Sequence, residues 1–597
     1  MARRDGYAPL CDYAVIGDGR SAALIARDGS IDWLCSPEID SPSVFGALLD
    51  ASLGGSFTLA PEGSYSVQRR YVAESNVLET TFRTSTGAVR VTDAMTLPDA
   101  GLVPERELVR HVDGLAGSVV MRWSVEPRFR YASARTTLGR RYGTPVAEAG
   151  RDAIAVCAWQ AGKPVTTSRS IDGSFHTDPG SSATVALVAA HEAPLVFPDR
   201  RDVEARLATT TRWWQQWAQD RRYEGPWRDA VLRSALLLKL LVHAPSGAVA
   251  AAPTTSLPEV IGGERNWDYR FCWIRDSAFT MNALLSLGCS AEADAFFWWL
   301  MHASQLTRPR VQVLYRLNGS AHAPERVVPL AGYCGSAPVR EGNGAVEQLQ
   351  LDVYGDVFQT AWLYRRALGG LDRDLARRLA GIADYVTSIW REPDAGLWEV
   401  RSDPRHFTQS KMMCWLALER ACELAAAHFL PTRAQARWRH EADALQRFVE
   451  ERCWSERRGS YTRSADHDEL DAGVLLGCIF GYTPRDDTRM DRTIDAVREH
   501  LSDGVFVRRY DGDDGLPGSE GAFIACSFWL VEALARRARH DEAAALMERV
   551  LGLANDVGLY AEEVEPKTGD FLGNFPQGLS HLALINAAVA LGEGRGS

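Results

Sequence analysis

No apolar run in the 597 residues is long enough to cross a bilayer, and no apolar core follows the opening Met-Ala-Arg-Arg-Asp-Gly. A transmembrane anchor and a signal peptide are therefore not expected, and the chain is predicted to be cytoplasmic. The eleven cysteines include no CxxC pair and no spacing with histidine that would hold a metal. An odd count argues against a disulfide framework. Cys414, Cys422 and Cys478, on apolar helical faces, read as small buried hydrophobes of a reducing compartment. His406, His500 and His581 are too scattered for a metal site, so no metal or organic cofactor is expected. Long acidic or basic runs are absent too, and a formal charge of −11 without clusters excludes nucleic acid and anionic membrane as natural partners. There is no low-complexity segment and no fixed-period repeat, which weighs against an α-solenoid. Nothing in the pattern specifies an oligomeric state.

What is present divides the chain. Its length exceeds one ordinary core, and 46% hydrophobic with 24% charged residues is a soluble globular composition. From Tyr13 to about Leu195 the pattern alternates with period two between turns, as at Asp18-Gly19 and Asp28-Gly29. Val77–Thr84, a turn at 85–87 and Ala88–Thr92 read as a hairpin, and Val119, Met121, Trp123 and Val125 share one strand face. An antiparallel β-sandwich over residues 1–200 is predicted. A helix over about 202–222, carrying Trp213, Trp214 and Trp217, serves as linker within 201–226.

From Trp227 the period becomes helical. Twelve segments are predicted at about 227–244, 276–289, 291–304, 353–368, 372–391, 408–428, 433–453, 468–479, 486–502, 520–537, 540–555 and 576–592. Ala235–Val242 and Leu475–Phe480 are apolar nearly all round, as inner-ring helices should be. The segment 433–453, with Thr432 and Gln435 as a capping box, reads as outer-ring. Alternating roles suggest an (α/α)6 barrel over 227–597.

The densest chemistry lies between Gly262 and Ser277, where Trp267, Tyr269, Phe271 and Trp273 interleave with Asp268, Arg270, Arg275 and Asp276. Flat rings beside charged groups suit a sugar, which offers apolar C–H faces and a rim of hydroxyls; the bland alternative is a loop packing its rings on the core. Eighteen tryptophans, many in loops, favour the former. Further loops rich in glycine, aromatics and carboxylates run through Leu257–Glu259, Gly332–Asp356, Asp394–Lys411, Gly515–Gly521 and Gly558–Gln577. Two hold glutamates suited to glycoside hydrolysis, in which one carboxylic acid protonates the leaving oxygen and a second carboxylate activates water. Glu399 follows Trp398, whose ring would desolvate it and keep it protonated; Glu562 lies in a Gly-flanked loop. Spacing alone does not bring the two together.

These stretches together resemble glycoside hydrolase family 15, the glucoamylase, trehalase and glucodextranase family, in its bacterial form. Asn266–Asp276 matches the Asn-Trp-Asp-Tyr-Arg-x-Cys-Trp-x-Arg-Asp signature. Pro338–Tyr354 matches the Pro-Val-Arg-x-Gly-Asn-x-Ala and Gln-Leu-Asp-Val-Tyr-Gly patterns, and Gly396–Lys411 the Gly-x-Trp-Glu-x-Arg segment. Asn574–Gln577 with Ser580-His581 mark the region of the second glutamate. The resemblance covers nearly the whole chain. It implies Glu399 as general acid, Glu562 as general base with Glu563 as the ambiguous neighbour, and Arg275 with Asp276 gripping the innermost glucose. Trp398, Trp273 and Tyr269 would line that subsite and Arg340 would lie near its edge. Glu341 stands where an apolar residue is expected and Asp356 where glutamate is commoner. The implied activity is inverting exo-hydrolysis of an α-glucoside to β-glucose. Trehalose is the leading substrate, ahead of malto- or isomalto-oligosaccharides and of a non-catalytic sugar-binding role on the same fold.

Overall fold

The computed structural model describes residues 3–97, 106–484, 486–512 and 520–595. The N-terminal part is two antiparallel eight-stranded sheets. One runs in the order Tyr13–Gly17, Ala22–Ala26, Ser30–Cys35, Phe57–Pro61, Val119–Val125, Ile171–Thr177 and Val165–Thr166, with Ser43–Phe45 paired on Ser30–Cys35. The other runs Thr137–Arg141, Thr144–Ala149, Asp152–Trp159, Ser182–His191, Arg106–Gly117, Gly87–Met95, Leu78–Thr84 and Tyr65–Tyr71. The expected hairpin forms, with Leu78 opposite Asp93 and Arg83 opposite Ala88. Val119, Met121, Trp123 and Val125 all point inward, and the Trp123 indole donates to the Ala161 carbonyl at 2.8 Å.

The first three strands of the first sheet do not alternate; every residue in them is buried. The cause is cover on both faces. The sandwich lies on one side and the helical part on the other, where the Trp33 indole donates to Pro253 O at 2.8 Å and Gly17 sits against Leu240. A strand buried on both faces reads as a continuous apolar run.

Among the described residues thirteen helices follow: α1 (Arg200–Gln219), α2 (Arg228–Leu241), α3 (Ser277–Ser286), α4 (Ser290–Gln305), α5 (Val353–Ala367), α6 (Arg373–Ile389), α7 (Thr408–Ala426), α8 (Gln435–Arg452), α9 (Leu475–Phe480), α10 (Thr488–His500), α11 (Ile524–Arg536), α12 (His540–Leu551) and α13 (Gly578–Arg595). Helix α1 starts where the Asp199 carboxylate accepts from Asp202 N. It ties the two halves: Arg206 makes a forked pair with Glu107 of the sandwich, and the Trp217 indole donates to Glu292 of α4. The remaining twelve form a closed double ring. Helix α3 packs on α5, α5 on α7, α7 on α9, α9 on α11, α11 on α13, and α13 returns to α3, while the even-numbered helices flank this ring. This is the (α/α)6 arrangement.

Three sequence expectations are corrected. Helix α2, apolar nearly all round, is an outer helix. Its back is covered by the sandwich, where Asn76 Nδ2 donates to Leu236 O and Arg233 Nη1 to Ser75 O, both at 2.8 Å. The Thr432/Gln435 capping box does not form; Thr432–Ala434 is a separate 3-10 turn and Gln435 Nε2 donates to Cys422 O. The segment predicted at 468–479 is helical only from Ala472, because Asp471 is extended and its carboxylate accepts from Gly473 N and the Trp398 indole.

Sandwich and barrel are also locked by charge. The Arg69 guanidinium, with no side-chain exposure, donates to both oxygens of Asp556 in the loop after α12, at 2.6–3.2 Å. Arg69→Met should leave Asp556 and the carbonyls of Cys11 and Asp12 short of donors. A loss of about 1–3 kcal/mol, the scale of a hydrogen bond to a charged group, is expected in urea unfolding of the full chain; an unchanged midpoint would contradict the lock.

Candidate active site

Every long loop singled out in the sequence leads into the N-terminus of an inner helix. Asp276 precedes α3, Asp352 α5, Phe407 α7 and Phe523 α11, and the Glu562 loop ends at α13. Five inner helices thus aim their positive ends at one mouth of the barrel, a setting that favours clustered carboxylates. The stretch 515–519 lies outside the described residues.

At that mouth a pocket is lined by Glu259, Arg265, Trp267, Tyr269, Arg275, Trp398, Glu399, Val400, Arg401, Arg509, Tyr510 and Phe523. It is a narrow slot, with about 40 Å³ of solvent-sized space. Wider cavities of about 550 and 590 Å³ lie elsewhere. Neither is lined by Glu399 or by the rings of the 267–269 stretch, so chemistry rather than size selects the narrow one.

Glu399 projects from a residue with φ of 57°, the left-handed region, which is strained for a residue other than glycine and frequent at functional positions. Its Oε1 accepts from the Trp273 indole at 2.5 Å and lies 3.5 Å from Arg275 Nη1. Although 18% of the side chain is exposed to the pocket, burial against its walls raises the carboxyl above its ordinary range. The Arg275 charge and the Trp273 N–H pull the other way and lose. Trp398, placed beside Glu399 by sequence, lines the pocket but gives its indole N–H to Asp471 at 2.9 Å. The ring that bonds Glu399 is Trp273.

Glu562 is fully buried. Its Oε2 accepts from Asn574 N at 2.9 Å, and its Oε1 has no hydrogen-bond partner among the described residues. Burial raises this carboxyl too, opposed by Tyr269, Asn574 N, Arg509 and Arg275. Gly573, at φ of 69°, lets the chain pass so close that a Cβ there would meet Glu562 Oε2 at 2.4 Å. Tyr269, a wall residue, interacts with both Glu562 and Glu399. Its ring packs edge-on against Trp273 with centroids 5.1 Å apart.

Glu563 belongs to different company. It starts a short strand, Glu563–Val564, and successive strand side chains point to opposite faces. Its Oε2 accepts from Gly521 N at 3.0 Å and its Oε1 lies 3.6 Å from Arg509. Arg509 also binds Glu259 at 2.9 Å and Glu520 at 2.8 Å, and Arg265 pairs with Glu520. Burial drives Glu259 up to about 8 and Glu563 well above its ordinary range.

Comparison with known proteins supplies the lineage. The family described as glycosyl hydrolases family 15 matches residues 225–589, and a trehalase-like N-terminal domain matches residues 5–197. The chain belongs to glycosyl hydrolase family 15. The enzyme is similar to the trehalases of Mycolicibacterium smegmatis and Mycobacterium tuberculosis, each 38% identical over 98% of this chain and over 92% and 90% of their own lengths. A Thermoplasma volcanium trehalase is 34% identical over 99% of this chain and 94% of its own. A bacterial glucoamylase crystallised with acarbose superposes with a TM-score of 0.74 at 13% identity, covering 99% of this chain and 95% of that one, which is likeness of fold.

The remaining sequence-predicted site residues fall as follows. Arg275 Nε donates to Asp276 Oδ1 at 2.8 Å and its Nη1 to Leu397 O at 3.4 Å, beside Glu399. Arg340 does not line the pocket. Its guanidinium donates to Glu264 O and Asn266 O and lies 4.5 Å over the Trp267 ring, so it braces a wall residue. Glu341 is paired with Arg326, which accounts for a charge where an apolar residue was expected. Asp356 is buried; burial, with the charges of Asp352 and Asp276, pushes it well above its ordinary range, and burial with the charge of Asp394 pushes Asp352 to about 7. Wall residues the site prediction omitted are Glu259, Arg265, Trp267, Val400, Arg401, Arg509, Tyr510 and Phe523, while Glu562, Asp276 and Trp273 are not among the lining residues. The adjacency of Arg509 and Tyr510 ahead of a Gly-rich stretch was the available signal for two of them. His581 is a satisfied core histidine: its Nε2 accepts from Tyr560 N, its Nδ1 meets Ser234, and burial lowers it to about 3. Among the described residues no group of three or more His, Cys, Asp or Glu side chains is arranged to hold a metal ion.

Trp273→Phe removes the one N–H that stabilises ionised Glu399. The Glu399 carboxyl should then rise further, moving the alkaline limb of kcat/KM against pH to higher pH, since an acid must stay protonated to act. A stationary alkaline limb with only a lower plateau would detach Glu399 from that limb.

Proposed function

We propose that this enzyme hydrolyses α,α-trehalose with inversion at one anomeric carbon. The observation that supports the reading is a pair of raised carboxyls on different loops, Glu399 in the pocket wall and the buried Glu562, both interacting with the wall residue Tyr269. An inverting enzyme needs roughly 6.5–9.5 Å between its two carboxyls to hold a water.

In this reading Glu399, kept protonated by burial, gives its proton to the oxygen bridging the two glucose rings. Glu562, with one oxygen fixed by Asn574 N and the other unpartnered, takes a proton from water attacking the opposite face of the ring. Arg275 is held planar by Asp276, and the two present donors and acceptors to adjacent hydroxyls of the bound glucose. Tyr269 and Trp398 supply apolar walls. Glu563, engaged with Gly521 N and Arg509, is a supporting group rather than the base. The narrowness of the slot favours a two-ring substrate over starch, as do the trehalases among the relatives. A cytoplasmic setting accords with eleven free thiols, eight of them buried, and with no helix among the described residues long and apolar enough to cross a membrane.

Glu399→Gln and Glu562→Gln should each lower kcat on trehalose at least about a hundredfold, with the fold intact by circular dichroism. Asp276→Asn should cost at least about tenfold in kcat/KM, the loss of a charged hydrogen bond. A dead Glu563→Gln beside a near-normal Glu562→Gln would reverse the base assignment. Maltose or isomaltose cleaved faster than trehalose would move the substrate to the glucoamylase side, and no release of glucose from any of them would leave a sugar-binding protein.

A further inference from the structure

The arginines that line the active-site pocket are not equally committed. Arg275 is held by Asp276 at 2.8 Å, Arg509 by Glu259 at 2.9 Å and Glu520 at 2.8 Å, and Arg265 pairs with Glu520. Arg401 is the exception. A guanidinium carries several N–H donors, and among the described residues Arg401 gives one hydrogen bond, a long one of 3.4 Å to Glu325 Oε2. That oxygen already accepts from Gly344 N at 3.0 Å, and Glu325 Oε1 takes Arg340 Nε at 3.2 Å. A half-exposed pair of this length holds weakly. The Arg401 fork keeps donors that no protein acceptor uses.

Its position is nevertheless defined. The Arg401 guanidinium lies 4.5 Å from the centre of the Trp267 ring, and the Trp267 carbonyl is held by Asn574 Nδ2 at 3.0 Å. A guanidinium over an indole face is attracted by the ring, which orients Arg401 without consuming its N–H groups.

Exposure orders the charged walls from floor to mouth. The side chain is 11% exposed at Arg275, 18% at Glu399 and 36% at Arg401. The Arg401 charge also opposes the rise of the Glu399 carboxyl. Under the proposed function, on which this inference rests, the inner glucose lies at Arg275 and the bridging oxygen at Glu399. The second ring, leaving toward solvent, then meets the wall beyond Glu399, where Arg401 and Trp267 stand. A sugar offers hydroxyl and ring oxygens as acceptors, and an arginine offers donors and no acceptor.

We propose that Arg401 is a specificity-determining residue for the leaving glucose, its uncommitted N–H groups donating to oxygens of the second ring at the pocket mouth. The full wild-type chain and its Arg401→Ala and Arg401→Lys variants test it on the pH plateau, where a shift at Glu399 does not register. Two quantities are read: kcat/KM for trehalose, and the inhibition constant of methyl α-glucoside, a one-ring ligand for the inner subsite, against that hydrolysis. Arg401→Ala should lose at least about tenfold in kcat/KM, the scale of a hydrogen bond to a charged group, with the inhibition constant unchanged within about twofold. Arg401→Lys, which keeps the charge but not the planar fork, should show the same selective loss, smaller in size. Equal losses in both quantities would make Arg401 a brace for Trp267, and no loss in either would deny it any contact with the second ring; each result overturns the proposal. A wild-type chain inactive on trehalose would instead refute the substrate reading, and this inference with it, before any variant is made.

Discussion

Arg275 is the charge on which the pocket depends. Buried at the foot of α3, it is held at 2.8 Å by Asp276 and reaches to 3.5 Å from Glu399. It also acts on Asp352, Asp356 and Glu562. A lone guanidinium so deeply placed would be prohibitive; among carboxylates it is the counter-ion that lets several of them leave water. Without it, burial of Glu399, Asp352 and Asp356 would be less opposed, and these carboxyls would rise further.

The two proposed catalytic glutamates differ in how burial is opposed. Glu399 is answered by Arg275, the Trp273 N–H and Arg401, and Glu562 by Tyr269, the Asn574 N–H, Arg509 and Arg275. An acid–base pair requires one carboxyl to stay protonated while its partner is ionised at the same pH. A second layer, Glu259, Glu520 and Glu563 around Arg509, supports the wall by the same means.

Much of this was legible from residues alone. Period-two strands, the change of period at Trp227 and twelve helical segments lead to sandwich and barrel, because each pattern reports which face is buried. The misreadings share one cause. Apolar cover all round α2 was taken for an inner position, but one sequence cannot say whether the second apolar face meets a barrel axis or another domain. Likewise Trp398 was adjacent to Glu399 in sequence, yet Trp273, 126 positions away, makes the bond. Arg340 was near the site in motif but spends its donors on carbonyls. Long-range partners such as Arg509 with Glu259 carry no local signal, since only the closure of the barrel brings residues 250 apart into contact.

The stereochemistry of the bond-breaking step tests the division of labour between Glu399 and Glu562 most directly. Proton NMR of the first turnovers on α,α-trehalose, faster than mutarotation, reads the anomers of both product rings. Inversion at the attacked carbon predicts one β-glucose and one α-glucose from each trehalose. Two α-glucose molecules would contradict it, and would make one of the glutamates a nucleophile rather than a base.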